Sequence, residues 1–223
     1  DLVRMQSIVS KGSYNGKNLF IESAQAKNDN GQIHTSGKIP FDLNIGSSTF
    51  GKYFENDSIN LSTEADLSDL PFLSPYITDL DSSSGKYKII LNVKGPIENL
   101  TRDGYIIIQD GVLYTQLLND PIRFINGEAQ LINNKLKIKN LIADLNIANE
   151  KNYGSKTPNT QIKGEINLNK FFNPHYNLKL ESKNASFRLL FLDIYGETNL
   201  DLSIFGRDTV YIAGKIEPEE VNV

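Results

Sequence analysis

Gly85-Lys-Tyr-Lys-Ile-Ile-Leu-Asn-Val-Lys-Gly-Pro-Ile-Glu-Asn-Leu100, then Gly104-Tyr-Ile-Ile-Ile-Gln-Asp-Gly-Val-Leu113, then Ile122-Arg-Phe-Ile-Asn-Gly-Glu-Ala-Gln-Leu-Ile-Asn-Asn-Lys-Leu-Lys-Ile-Lys-Asn-Leu141 decide the fold. In the first segment Tyr87, Ile89, Leu91 and Val93 alternate with Lys86, Lys88, Asn92 and Lys94, a period of two that gives a sheet one apolar and one wet face. Gly95-Pro96, Asp110-Gly111 and Asn133-Asn134 punctuate the strands with residues that accept positive φ or preset a turn. Neighbouring strands should therefore run antiparallel, and Asn133-Asn134 between Leu131 and Leu136 is the clearest hairpin signal.

Working outward, 223 residues suffice for one large all-β domain or two average ones, and one continuous unit over 1–223 is the favoured reading. A net charge of −4, spread without runs, supplies no footprint for nucleic acid or an anionic lipid surface. The absence of cysteine removes thiol catalysis, disulfides and Cys-based zinc sites and leaves the redox compartment open. No apolar run approaches the ~18 residues that span a bilayer, and no secretory signal opens the chain. Asp1-Leu-Val-Arg starts in mid-pattern and Glu219-Glu-Val-Asn-Val stops without a finish, as in a piece of a longer protein.

Leu2 to Val9 reads as extended, Gly12 to Gly16 as a turn, and Asn28-Asp-Asn-Gly31 as a hairpin turn rather than a calcium loop, since the acidic ligands and terminal glutamate are missing. A strand is expected from Ile33 to Ile45, with Ile39, Phe41, Leu43 and Ile45 on one face and Pro40 at an edge or bulge. Ser58 to Leu67 is another, with Ile59 and Leu61 facing in. One short helix is expected over 67–80, capped by Ser68 or Asp69, with Leu70, Leu73, Ile77 and Leu80 at helical spacing and Ser82 to Gly85 ending it. A polar loop is expected over 149–160; beyond it Gln161–Leu168, Tyr176–Ser182, Glu197–Gly206 and Thr209–Pro218 are strand-like, and Phe187 to Leu192 is ambiguous.

Gly95-Pro96-Ile97-Glu98-Asn99, Gly104, Asp110-Gly111-Val112-Leu113 and Ile125-Asn-Gly127 leading into Leu131, Leu136 and Ile138 together resemble a phrase of the TamB (translocation and assembly module) family, relatives of AsmA in the Gram-negative envelope. Ala65-Asp66-Leu67 and Leu70-Pro71-Phe72-Leu73 resemble the short helix that precedes such a phrase. Asn184-Ala185 through Gly196, Leu200, Leu202, Gly206, Gly214 and Pro218 looks like a second copy. The resemblance is best over 60–148, fair over 161–218 and weak over 1–60; Leu100 stands where such phrases usually carry proline, and the Asn- and Lys-rich, alanine-poor wording departs from typical members.

The resemblance implies an elongated, curled, mainly antiparallel sheet forming a hydrophobic groove, a periplasmic location, and an inner-membrane anchor elsewhere in the protein. It further implies phospholipid or other acyl chains as cargo and an outer-membrane barrel partner similar to BamA; no cofactor is expected. Open sheets beyond ~10 strands curl or split, and about a dozen strands ~4.8 Å apart would build a trough of roughly 60 Å. Following the family register, the expected groove lining is Ile89, Leu91, Val93, Ile106, Ile108, Leu113, Leu131, Leu136, Ile138, Ile166, Leu168, Leu200, Leu202, Ile204 and Ile212.

Alternation alone does not separate such a lining from the core of a closed sandwich or barrel. Strand acceptance from a client outer-membrane protein at a terminal strand is a second reading. Catalysis is disfavoured, because His34 and His175 are the only histidines and neither sits in a nucleophile or metal motif. A carbohydrate-binding sandwich is disfavoured by the lack of tryptophan.

Overall fold

A computed structural model describes residues 6–54, 57–70, 80–116, 118, 120–146, 158–189 and 194–222. The fold is all-β: β1 (Ser7–Tyr14), β2 (Asn18–Asn28), β3 (Gly31–Pro40), β4 (Ser58–Leu67), β5 (Leu80–Pro96), β6 (Thr101–Thr115), β7 (Ile122–Ile132), β8 (Lys135–Asp144), β9 (Thr160–Asn167), β10 (His175–Leu189), β11 (Ile194–Gly206) and β12 (Val210–Asn222). They form one twelve-stranded sheet in strict chain order. β1 and β12 are not neighbours in that order, so the sheet does not close into a barrel, and no second sheet accompanies it among the described residues. The strand order matches the expected all-β, mainly antiparallel open sheet and not a closed barrel.

Contacts divide the chain into two units, one of Asp1–Leu67, Lys88–Ile106 and Leu131–Asn134, the other of Ser68–Tyr87, Ile107–Gln130 and Lys135–Val223. No boundary falls in the polar 149–160 stretch, of which residues 149–157 lie outside the described ones. In the first unit β1 to β4 form an antiparallel meander whose rows are set by register. Ile8, Ala26, Ile33 and Ala65 stand side by side, as do Gly12, Ile21, Gly37 and Leu61. In the second, β8 to β12 form a five-strand antiparallel meander.

The turns show where local chemistry governs. β2 and β3 meet through Asp29-Asn30, with Asn28 pairing Gly31 and its Oδ1 accepting from the Asn30 amide at 3.0 Å, so the hairpin reading holds. Asn133 and Asn134 sit at φ 48° and 64°, the left-handed pair that a two-residue hairpin requires. Asn134 is then held from the side: its Oδ1 accepts from the Arg102 amide at 2.9 Å and its Nδ2 donates to the Leu100 carbonyl at 2.9 Å. Leu100 follows a single 3-10 turn (Ile97–Asn99) at φ −75° and ψ 129°, values within the range of the proline it replaces.

Several expected boundaries are corrected. Asp110-Gly111 is not a turn; β6 runs through it, with Asp110 at φ 50° marking a kink inside the strand. Ser82 to Gly85 is not a helix end but part of the 17-residue β5. The expected helix over 67–80 falls largely on 71–79, outside the described residues, and its flanks Leu67 and Leu80 belong to β4 and β5. Among the described residues the only helical element is the 3-10 turn.

β3 stops at Pro40 rather than at Ile45. Asp42 accepts hydrogen bonds from the Asn44 amide (2.8 Å) and the Thr49 hydroxyl (2.7 Å), which fold the chain back and leave Ile45 89% exposed. The expected turn over 12–16 begins later, because Gly12 to Tyr14 pair with β2.

Candidate functional site

The register of β8 to β12 fixes which side chains share a face, because directly opposed residues of an antiparallel pair point the same way. One face carries four rows. Leu136, Ile166, Tyr176, Gly206 and Val210 form the first; Ile138, Gly164, Leu178, Ile204 and Ile212 the second. Leu141, Ile162, Leu180, Leu202 and Gly214 form the third; Ala143, Thr160, Ser182, Leu200 and Ile216 the fourth. Expected lining residues Leu136, Ile138, Ile166, Leu200, Leu202, Ile204 and Ile212 are thus brought onto one continuous surface.

The opposite face is ionic. Lys163 and Lys179 bond Glu181 at 3.0 and 2.6 Å, and Lys179 also reaches Asp201 at 3.3 Å. The two cations, Lys179 before Lys163, hold the Glu181 carboxyl below its ordinary range. A depression of about 930 Å³ in this unit is lined chiefly by polar residues, among them Gln161 and the already ion-paired Glu181, Asp201 and Lys215. His34 lies on the equivalent wet face of the first unit, between Gln25 and Glu64, and His175 is exposed at the start of β10. Among the described residues no group of three or more His, Asp or Glu side chains is placed to hold a metal.

Two devices bend the five-strand face. Gly164 and Gly214, at φ +134° and +147°, have the backbone oxygens of Asn177 and Asp201 at 2.3 and 2.0 Å from where a Cβ would stand. Only glycine permits that approach, which removes a side chain from the apolar rows and lets neighbouring strands close up. Bulges interrupt β8 between Ile138 and Leu141 and β10 between Ser182 and Ala185, adding local twist and bend.

At one end the face turns polar and closed. Thr160 and Ser182 share a buried hydroxyl–hydroxyl bond of 2.8 Å, and Ser182 also donates to the Asn159 carbonyl at 3.1 Å. Asn159 knits the strand ends: its Nδ2 donates to the carbonyls of Leu145 and Asn184, each at 3.2 Å, and its Oδ1 accepts from the Leu145 amide at 3.0 Å. Beside it Asp144 is almost fully buried, with Arg123 at 3.7 Å and a hydrogen bond from Asn146. Burial pushes the Asp144 carboxyl above its ordinary range, against the pull of Asn146 and Arg123.

Of the fifteen expected lining residues, Leu131 is buried, Ile212 is 67% exposed and the other thirteen are half-buried. A sealed core would bury most of them below a tenth of their surface. Leu141, Ile162, Leu178, Leu180 and Ile216 share the same rows and were not anticipated. The alternation of Leu178 and Leu180 with Lys179 and Glu181 was the available signal; for Leu141 the bulge hid it. The first unit adds Ile21, Ile33 and Leu61 on its own apolar face.

The molecule belongs to the class of open antiparallel β-meanders, and its β8 to β12 meander carries one apolar and one ionic face. No family model, no curated protein and no solved structure matches the chain.

Proposed function

We propose that this chain shields lipid acyl chains along its open apolar face, as a periplasmic segment of a TamB/AsmA-like envelope protein carrying phospholipid between inner and outer membranes. The observation that carries the reading is the half-exposed state of three aligned apolar rows across β8 to β12 with no second sheet among the described residues. An acyl chain in water costs ~0.8 kcal/mol for each methylene left wet, so a tail of about sixteen carbons gains on the order of 10 kcal/mol from full cover. The rows require no polar site along the path; headgroups stay at the open margin while tails lie over Leu180, Leu202 and their neighbours. An apolar surface continuous over the first three rows also avoids a single deep well that would trap the cargo.

Native mass spectrometry of the purified chain tests this. Adducts of phospholipid mass are expected, and a clean lipid-free mass that persists after lipid is added would refute carriage.

A second reading rests on β12, which pairs only with β11 and leaves Val210, Tyr211 and Ile212 46%, 56% and 67% exposed. Such an edge is a template for a client strand, as in the assembly of outer-membrane barrels. Ala213→Pro, opposite Ser203 on the other face of β12, separates the two readings: it should abolish client-strand capture and spare acyl uptake.

A further inference from the structure

We propose that the loop between β9 and β10 is a membrane-docking tip that inserts Phe171 and Phe172 into the interfacial region of an anionic bilayer. Phe172 is 92% exposed and Phe171 38%, with ring centroids 5.3 Å apart in an edge-to-face pair. The most exposed large apolar side chain described in the protein is thus presented at a loop tip, where desolvating it needs an external apolar phase.

The loop is built to hold that pose. Asn167 Oδ1 accepts from the Asn169 amide at 3.0 Å, and the Asn173 amide donates to the Lys170 carbonyl at 3.0 Å. Asn173 Nδ2 then donates to Asp208 at 2.6 Å, tying the tip to the β11–β12 turn, and Pro174 is buried beneath it. These bonds fix the entropy of the tip before it meets a surface.

Charge and size select the partner. Lys170 adjoins the two rings, and register places Lys135, Asn167 and His175 in one row at the same end of β8, β9 and β10, with Arg207 in the neighbouring turn. The acids there are Asp208, which accepts from Asn173, and Glu165, 3.9 Å from Lys135. Lys135, Lys170 and Arg207 thus outnumber Glu165 and Asp208 by one around the most exposed aromatic of a chain whose net charge is −4. Two rings flanked by Asn167, Asn169 and Asn173 are too small for a stable protein interface, which needs about 800 Å² on each partner. They suit a bilayer, where each ring contributes by area without a shaped pocket and each cation gains from anionic headgroups.

The chain lacks tryptophan, so Phe172→Trp is a background-free reporter. With vesicles of phosphatidylcholine and phosphatidylglycerol its emission should shift to the blue and be quenched by lipids brominated high on the acyl chain. Phe172→Ser should weaken vesicle pelleting about tenfold. Lys170→Glu should weaken it on anionic vesicles and leave pure phosphatidylcholine unaffected.

An unchanged emission in the presence of vesicles overturns the proposal. A blue shift in lipid-free buffer that grows with protein concentration also overturns it, assigning the tip to a protein contact. Uptake of a monomeric fluorescent fatty acid should be the same in Phe172→Ser as in the parent. Loss of that uptake in the parent with vesicle binding retained would count against acyl carriage alone, so the two proposals fail separately.

Discussion

Gly164 of β9 stands directly opposite Leu178 of β10, at a φ of +134° that admits no Cβ without collision with the Asn177 carbonyl oxygen. The close approach of β9 and β10 at this point is written into one residue. Gly164→Ala should lower the free energy of unfolding by at least about 2 kcal/mol, combining left-handed strain with a backbone clash. Gly16→Ala, at φ +89° with no atom within 4 Å of the added carbon, carries the strain without the clash and should lose clearly less. Urea unfolding of both variants checks this; equal losses would refute the role of close strand approach.

Leu202 and Ser203 are neighbours in β11 that face opposite ways, one in the rows with Leu180 and the other beside Lys179. Leu202→Asp should abolish uptake of a fluorescent fatty acid. Ser203→Asp should leave it within about twofold, since it adds a charge to a face already ionic. Circular dichroism should show both variants folded, because position 202 is only half-buried.

Asn159→Ala removes the side chain that bridges β8, β9 and β10 through Leu145, Thr160 and Asn184. Stranding the Leu145 and Asn184 backbone groups should cost about 2–3 kcal/mol. Hydrogen exchange should show the gain in opening at the Leu145 amide rather than at Leu180.

Much of this was legible in the primary structure and some was not, for physical reasons. Period-two alternation located β4, β9, β11 and β12, because in a sheet with one wet face each inward position must be apolar. Bulges defeat the same rule: the shift between Ile138 and Leu141 exchanges faces, so a strict count from Leu136 points Asn140 inward when Leu141 is the residue in the row. Glycine and aspartate signal a turn at Asp110-Gly111, where positive φ instead kinks a continuing strand. The parity of Ile45 matches that of a face residue; the hydrogen bonds of Asp42, which end the strand first, depend on Thr49 seven residues away. Register across five strands, which assembles the site, is not contained in any one segment.

Asp144 gives a pH dependence with a definite sign. Its folded pKa lies above the ordinary value of about 3.9, so the fold disfavours the charged form that prevails at neutral pH. Its contribution is fully present below the unfolded pKa and is lost as pH rises through the folded one. The stability of the parent relative to Asp144→Asn should therefore increase as pH is lowered from 7 towards 4. Urea midpoints at successive pH values check it, and a relative decrease would show that the Arg123 pairing outweighs burial.

Photo-crosslinking with a phospholipid bearing a diazirine in its acyl chain, followed by peptide mapping, tests the open apolar face most directly. Adducts are predicted on Leu178, Leu180, Leu202 and Ile204, with the interleaved Lys179, Asp201 and Ser203 unlabelled. Absence of adducts, or labelling spread equally over both faces of β10 and β11, would contradict the account.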